Sequence, residues 1–329
     1  MRERVARYAP FVAWAGWFDM AWVVAVTHLG LWSAVAAEWP IALAMALGSY
    51  VAGATPMGGG TIGFPVLVLL FDQPVSLGRN FSFLVQSVGM SSATLLILCG
   101  RRPLAVRPLL WTLAASTVVV PIANRLLAPL APDTAVKLVF AVIWAGFGVM
   151  TLVKLRELLS ADGPTRLGGR ADAAVGVSVG VVGGVAAALT GVGIDMVLYS
   201  VLVLLYRCDL RTAVATSVIA MAWASLVGSI NAAAMGELSE EVLRKWAAAA
   251  PVVLVGAPLG AAMLHVVHRG GTLVFVSVLC LGQFLWALER VGLTAWTLLG
   301  GVGGVLALNA CFHLLYTWGG RRLHASARG

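Results

Sequence analysis

Apolar residues fill this chain in long runs, and its charged residues gather in the short gaps between them. Runs at 11–36, 80–99, 108–128, 135–154, 212–235, 246–267, 272–288 and 294–317 match the roughly 20 helical residues that cross a hydrocarbon core of about 30 Å. A closed barrel would show short segments alternating apolar with polar instead. The pattern predicts an all-α integral membrane protein with these eight runs as transmembrane helices.

Two further runs, 41–71 and 173–206, each exceed 30 residues, about 45–50 Å as straight helix. That is too long for one pass and too short for two. Both break in the middle. Thr55-Pro56-Met57-Gly58-Gly59-Gly60 interrupts the first, where proline removes a donor and the glycines permit unusual dihedrals. Thr190-Gly191-Val192-Gly193-Ile194-Asp195 interrupts the second. Two re-entrant helical hairpins are expected, with tips near the bilayer midplane, where irregular backbone survives only against protein or a wet cavity.

The breaks belong to a duplication. Shifted by 135 positions without a gap, Val66-Leu67-Val68-Leu69-Leu70 falls on Val201-Leu202-Val203-Leu204-Leu205, Thr55 on Thr190, Gly58 on Gly193, Ser82 on Ser217 and Trp111 on Trp246. Each copy holds one hairpin and three crossings, an odd number, so the copies must be inverted repeats, the architecture of alternating access. The expected organisation is an N-terminal helix (1–38), repeat 1 (39–156), a polar linker (157–172), repeat 2 (173–290) and a C-terminal helix with a basic tail (291–329).

Charge placement agrees. With both broken runs as hairpins and both termini cytoplasmic, Arg101, Arg102, Arg107, the 154–170 segment, Arg207, Arg211 and the C-terminal arginines fall inside, while Glu38, Asp72, Asp133, Glu237, Glu240 and Glu241 fall outside. That obeys the positive-inside rule. Single crossings would move the 101–107 arginines and the 154–170 cations outside. Composition fixes the solvent: 60% hydrophobic and 11% charged residues exclude a water-soluble fold for 329 residues. The first run is longer than a signal-peptide core, so an uncleaved helix is expected. Four cysteines without pairing signature predict neither disulfide nor metal, and His265 and His268 are read as interfacial.

Gly53 to Gly60 with Pro65 heading 66–71, and Ala188 to Asp195 followed by Ala213-Val214-Ala215-Thr216-Ser217, resemble the paired motifs of the TauE/SafE sulfite exporter family. The resemblance covers nearly the whole chain outside the terminal helices and the linker. It implies a transporter of small sulfur-containing anions, sulfite or organosulfonates, in the bacterial cytoplasmic membrane. Ile194 and Asp195 stand where the family has glycines.

The residues themselves point to an anion. A helix N-terminus presents unpaired N–H groups and about half a positive charge, so the returning arms starting near Gly60 and Gly193 aim donors at a cavity. The expected substrate contacts are Thr55, Gly58, Gly59, Gly60, Thr61, Arg79, Ser82, Gln86, Thr190, Gly191, Gly193, Thr216 and Ser217. Helix packing is the alternative for the glycines, interhelical bonding for the hydroxyls, and interfacial anchoring for Arg79. Asp195, a carboxylate beside an anion, repels it unless protonated, and is the expected proton-coupling residue. Gly58 to Gly63 spell G-x-G-x-x-G, but no strand precedes them and no acidic residue follows about 20 positions on, so no dinucleotide site is expected. No Walker motif, catalytic constellation, cofactor or nucleic-acid partner is expected. The expected partners are the sulfur anion, the bilayer and protons, with a homo-oligomer left open. An anion channel, or an integral-membrane enzyme, stands as the alternative to a secondary transporter.

Overall fold

The computed structural model describes residues 6–55, 57, 60–263 and 269–326. Pro56, Gly58, Gly59, His265 and His268 lie outside the described residues, as does the Thr61 side chain. The described chain is helical, without a strand. Its helices are α1 (Ala9–His28), α2 (Trp32–Ala37), α3 (Trp39–Ala54), α4 (Gly60–Pro65, continued by the π-helical Val66–Leu70), α5 (Val75–Cys99), α6 (Val106–Leu126) and α7 (Asp133–Val153). There follow α8 (Leu155–Leu159), α9 (Gly169–Thr190), α10 (Ile194–Leu204), α11 (Leu210–Ala234), α12 (Glu240–Met263), α13 (Arg269–Val291) and α14 (Ala295–Ser326).

Among the described residues nine helices are long and apolar enough to cross a bilayer, against the eight expected. The ninth is α9, whose 22 residues span about 33 Å. The count of eight crossings plus two hairpins therefore does not follow from helix length. The first run is also divided, because Gly30 at φ +65° ends α1 and lets α2 start separately.

The 135-residue period is built into the backbone. Phe71 N donates to Val66 O, and Gln73 N to Leu67 O; Tyr206 N donates to Val201 O, and Cys208 N to Leu202 O. Asp72 and Arg207, equivalent non-glycine residues, both take positive φ, 51° and 54°. Helices α5 and α11 begin and end at equivalent positions. Their N-termini are capped differently. Asp209 accepts the amides of Arg211 and Thr212 at α11, whereas at α5 Asp133, from α7, accepts the amide of Val75.

The second broken run enters and leaves at one end, since the Tyr206 hydroxyl, at its exit, donates to buried Asp172, at its entry, over 2.9 Å. Asp172 also accepts the amides of Leu167 and Gly168, so the linker is tied to the hairpin's foot. Each first arm packs on the second long helix after the other repeat's hairpin, across small residues. Gly176 and Gly180 of α9 leave no room for a Cβ against Pro108, Trp111, Thr112 and Ala115 of α6, and Gly184 packs closely on Val119; Gly256 and Gly260 of α12 abut Ser49 and Tyr50 of α3. At Gly256 and Gly260 packing is thus the role.

Helices α5 and α11 form the buried centre and run antiparallel, Phe83 meeting Gly228. In α11, 67% of the membrane-length window is buried, against 6% in α1 and in α14. Trp17, Met20, Trp296 and Leu306 are exposed on these two outer helices, as lipid-facing positions require. Trp32, Trp39 and Trp318 are exposed near helix ends.

Charge separates the molecule into two ends. At one end Arg207 donates to Tyr316 O and lies 3.7 Å over its ring, Lys154 lies 4.1 Å over the same ring, and Arg107 approaches Gly169. Arg102 shares this end with Tyr8 and Arg211, and burial, reinforced by Arg211, lowers its pKa from the ordinary arginine value. At the other end Glu38 and Glu241 pair with Lys245, Asp72 with Lys137, Arg244 with Glu240 and Arg79 with Glu237. The segments expected on one side of a membrane thus collect at one end of the fold.

Candidate functional site

Both hairpin breaks open with the same device. The Thr55 hydroxyl donates to Val51 O over 2.7 Å and accepts the Met57 amide; that of Thr190 donates to Ala186 O over 2.9 Å and accepts the Val192 amide. Each threonine closes the last turn of its first arm, so these hydroxyls are used within the tips. In the second tip Gly191 and Gly193 take φ of +79° and +109°, conformations that β-branched residues avoid. Gly193 is the N-cap of α10. One donor of that helix start is already taken, because buried Asp195 accepts the Met196 amide at Oδ1 over 3.0 Å. A carboxylate of the chain itself thus sits where an anion was expected. Gly60, the equivalent position, opens α4.

The second tip docks on α5. A Cβ on Gly191 would lie 2.6 Å from Arg79 O and 2.8 Å from Ser82 Cβ, and Gln86 Nε2 donates to both Gly191 O and Ser82 O over 3.0 Å. Ser82 Oγ and Gln86 Oε1 are buried without a hydrogen-bond partner. So is Nε1 of Trp144, whose ring stacks on Phe140 and faces Gly193. Trp144 was missed from the sequence; a tryptophan in the middle of an apolar run, away from either interface, was the available signal. The two hydroxyls expected to bind from α11, Thr216 and Ser217, are committed elsewhere. Thr216 Oγ1 donates to Thr212 O and accepts the Ala105 amide, and Ser217 Oγ donates to Val214 O.

The tips do not meet at one level. Arg79 and Ser82 lie near the start of α5, so the second tip sits about 10 Å from the middle of that helix, toward the acidic end. The reason is arm length. The first arms are 16 residues in α3 and 22 in α9, about 24 and 33 Å, so the second arm is the longer by about 9 Å. A cavity of about 290 Å³ reaches the first tip, lined by Thr55, Val51, Tyr199, Arg211, Val214 and Leu273. A vestibule of about 530 Å³ opens at the acidic end, lined by Ser76, Arg79, Asn80, Glu237, Ser239 and Glu241. Between them Ser82, Gln86, Ser217 and Trp144 are buried. Among the described residues no group of three or more His, Cys, Asp or Glu is placed to hold a metal ion.

Comparison with protein-family models matches residues 40–285 to the sulfite exporter TauE/SafE model, well over half of the chain. The chain belongs to the TauE/SafE family. Comparisons with curated proteins and with solved structures give no match. The TauE/SafE match starts in α3 and ends in α13, so it takes in both hairpins and leaves α1 and α14 outside. TauE/SafE proteins are transporters, and this chain is a multi-pass membrane protein of that family.

Proposed function

We propose that this protein is a secondary transporter of a small sulfur oxyanion, sulfite or an organosulfonate, working by alternating access between residues 39–156 and 173–290 in the cytoplasmic membrane. The observation that carries the proposal is the placement of two hairpin tips along the antiparallel α5–α11 pair, the second on the acidic-end part of α5 and the first beside a cavity reaching Val214 of α11. Buried protein separates the two cavities, so rocking one repeat against the other would open one path while closing the second. Along that path Ser82 Oγ, the Trp144 indole N–H and the hydroxyl of Tyr199, which borders the cavity at the first tip, are buried donors without a hydrogen-bond partner, while Arg79 supplies charge. The backbone at Gly191 and Gly193 provides close approach. Thr55, Thr190, Thr216 and Ser217 shape the tips and their seats.

Counterflow into liposomes with sulfite, thiosulfate, sulfate, taurine and sulfoacetate tests the proposal. Saturable exchange of sulfite or a sulfonate is expected. Single-channel current would make the protein a channel, chemical conversion of the substrate would make it an enzyme, and silence toward every sulfur anion would remove the reading.

Orientation has its own test. The proposal puts the basic end in the cytoplasm. Cysteines introduced at 101–107 and 161–170 should react with impermeant maleimide only from the cytoplasm, and those beside Asp133 and Glu240 only from outside. Labelling of the 161–170 linker from outside would overturn the inverted-repeat arrangement.

A further inference from the structure

Arg79 is nearly buried, and its guanidinium meets the Glu237 carboxylate at 2.7 Å. The pair joins α5 of the first repeat to the α11–α12 turn of the second. Asn80 fixes the contact from both sides, accepting from Arg79 Nε and donating from Nδ2 to the backbone O of Glu237, each over 3.1 Å. The carboxylate is the more exposed partner, at 26%, and borders the vestibule. The backbone carbonyl of Arg79 itself packs against Gly191 of the second tip.

The other mouth lacks this pair. At the positions equivalent by the 135-residue shift, Val214 stands for Arg79 and Arg102 for Glu237. Arg102 donates to Ala261 O over 2.8 Å instead, with Arg211 as a like-charged neighbour. Duplication alone therefore does not account for the ion pair.

The geometry points to a second, transient anion site at Arg79 in the acidic-end vestibule, with the Glu237 carboxylate holding the place of the passing anion. This rests on the transport reading above for its ligand, a small oxyanion with a planar or tetrahedral oxygen face that can take the guanidinium fork. When the anion displaces Glu237, the link between the repeats is broken at this mouth. When it leaves, Glu237 returns and the mouth closes. A charged group nearly out of water needs a partner in either state, and the exchange keeps Arg79 paired throughout.

Sulfite binding to the detergent-solubilised full chain, measured by calorimetry, tests the site separately from transport. Glu237→Gln keeps the backbone oxygen that Asn80 holds and removes the competing charge, so the dissociation constant is expected to fall about tenfold. Arg79→Gln should lose the tight binding, and the double variant should match Arg79→Gln. Unchanged or weaker binding in folded Glu237→Gln overturns the proposal. A second arm leaves the pair intact and joins Ser76→Cys to Ser239→Cys, which border the same vestibule, with a bifunctional reagent that forms disulfides: counterflow should stop and return on reduction, and exchange continuing through the cross-link would also overturn it. If wild-type protein moves no sulfur anion yet Glu237→Gln binds sulfite more tightly, the transport reading fails while the vestibular site stands.

Discussion

Gly191→Val is expected to cut counterflow severely while leaving an inserted, helical protein. Two costs coincide at this position. Its φ of +79° lies in the left-handed region, worth about 1–2 kcal/mol against an L side chain and more for a β-branched one. The added Cβ would also stand 2.6 Å from the Arg79 carbonyl and 2.8 Å from Ser82 Cβ, so the tip must lift off α5. Lifting breaks the Gln86–Gly191 hydrogen bond and opens the partition between the cavities. The transport rate should drop by about a hundredfold, because the tip is the element that both conformations must seat. Gly193→Val meets backbone strain at φ +109° but only ordinary contacts, the nearest 3.4 Å away, and should be less severe. Gly303→Val on α14, where nothing lies within 4 Å, serves as the control and should transport normally. Counterflow together with size-exclusion profiles checks the series. Equal losses at Gly191 and Gly303, matched by equal losses of folded protein, would mean that the tip is only a packing element.

Asp195→Asn is expected to separate exchange from pH-driven accumulation. Asp195 is buried in the first turn of α10, two residues from the Gly193 cap, and its Oδ1 holds the Met196 amide. If Asp195 is the coupling residue, it carries a proton whenever the anion is seated, because an ionised carboxylate and an anion at one helix start would repel each other in a medium of low dielectric. Asparagine keeps an oxygen for Met196 and is neutral throughout. Loaded-carrier exchange should persist within about twofold, while accumulation driven by a pH gradient should vanish, since the neutral amide releases no proton. Proteoliposomes with and without an imposed pH gradient give both readings. Full pH-driven accumulation in Asp195→Asn would make this carboxylate structural.

The membrane class, the helical fold and the duplication were legible from local chemistry. A bilayer leaves backbone groups no partner but their own helix, so a run of about 20 apolar residues specifies its structure without reference to the rest of the chain. The breaks were legible for a related reason: glycine and proline change what the backbone can do at the residue where they stand. The backbone hydrogen bonds at Val66–Gln73 and Val201–Cys208 repeat with the sequence period. Local residues also located the candidate groups on α5, because Arg79, Ser82 and Gln86 are polar in an apolar run.

Depth and partners were not legible. A break midway along an apolar run looks like a turn at mid-membrane, yet α9 extends back to Gly169 and carries its tip past the centre of α5. Which donors remain free depended on neighbours far along the chain. Thr216 is spent on Ala105, whereas Ser82, its neighbour in the matching turn, keeps an unpartnered hydroxyl. Trp144 became a candidate only when Gly193 was placed against its ring. Glu237 read as one more outer-loop acid until the fold brought it across 158 positions to Arg79. Local backbone preference and the bilayer set each helix from within, so sequence alone determined the elements and their repetition. Hydrogen bonds and charges act over about 3 Å between residues whose separation along the chain carries no distance information, so only the tertiary structure decided which polar groups come together.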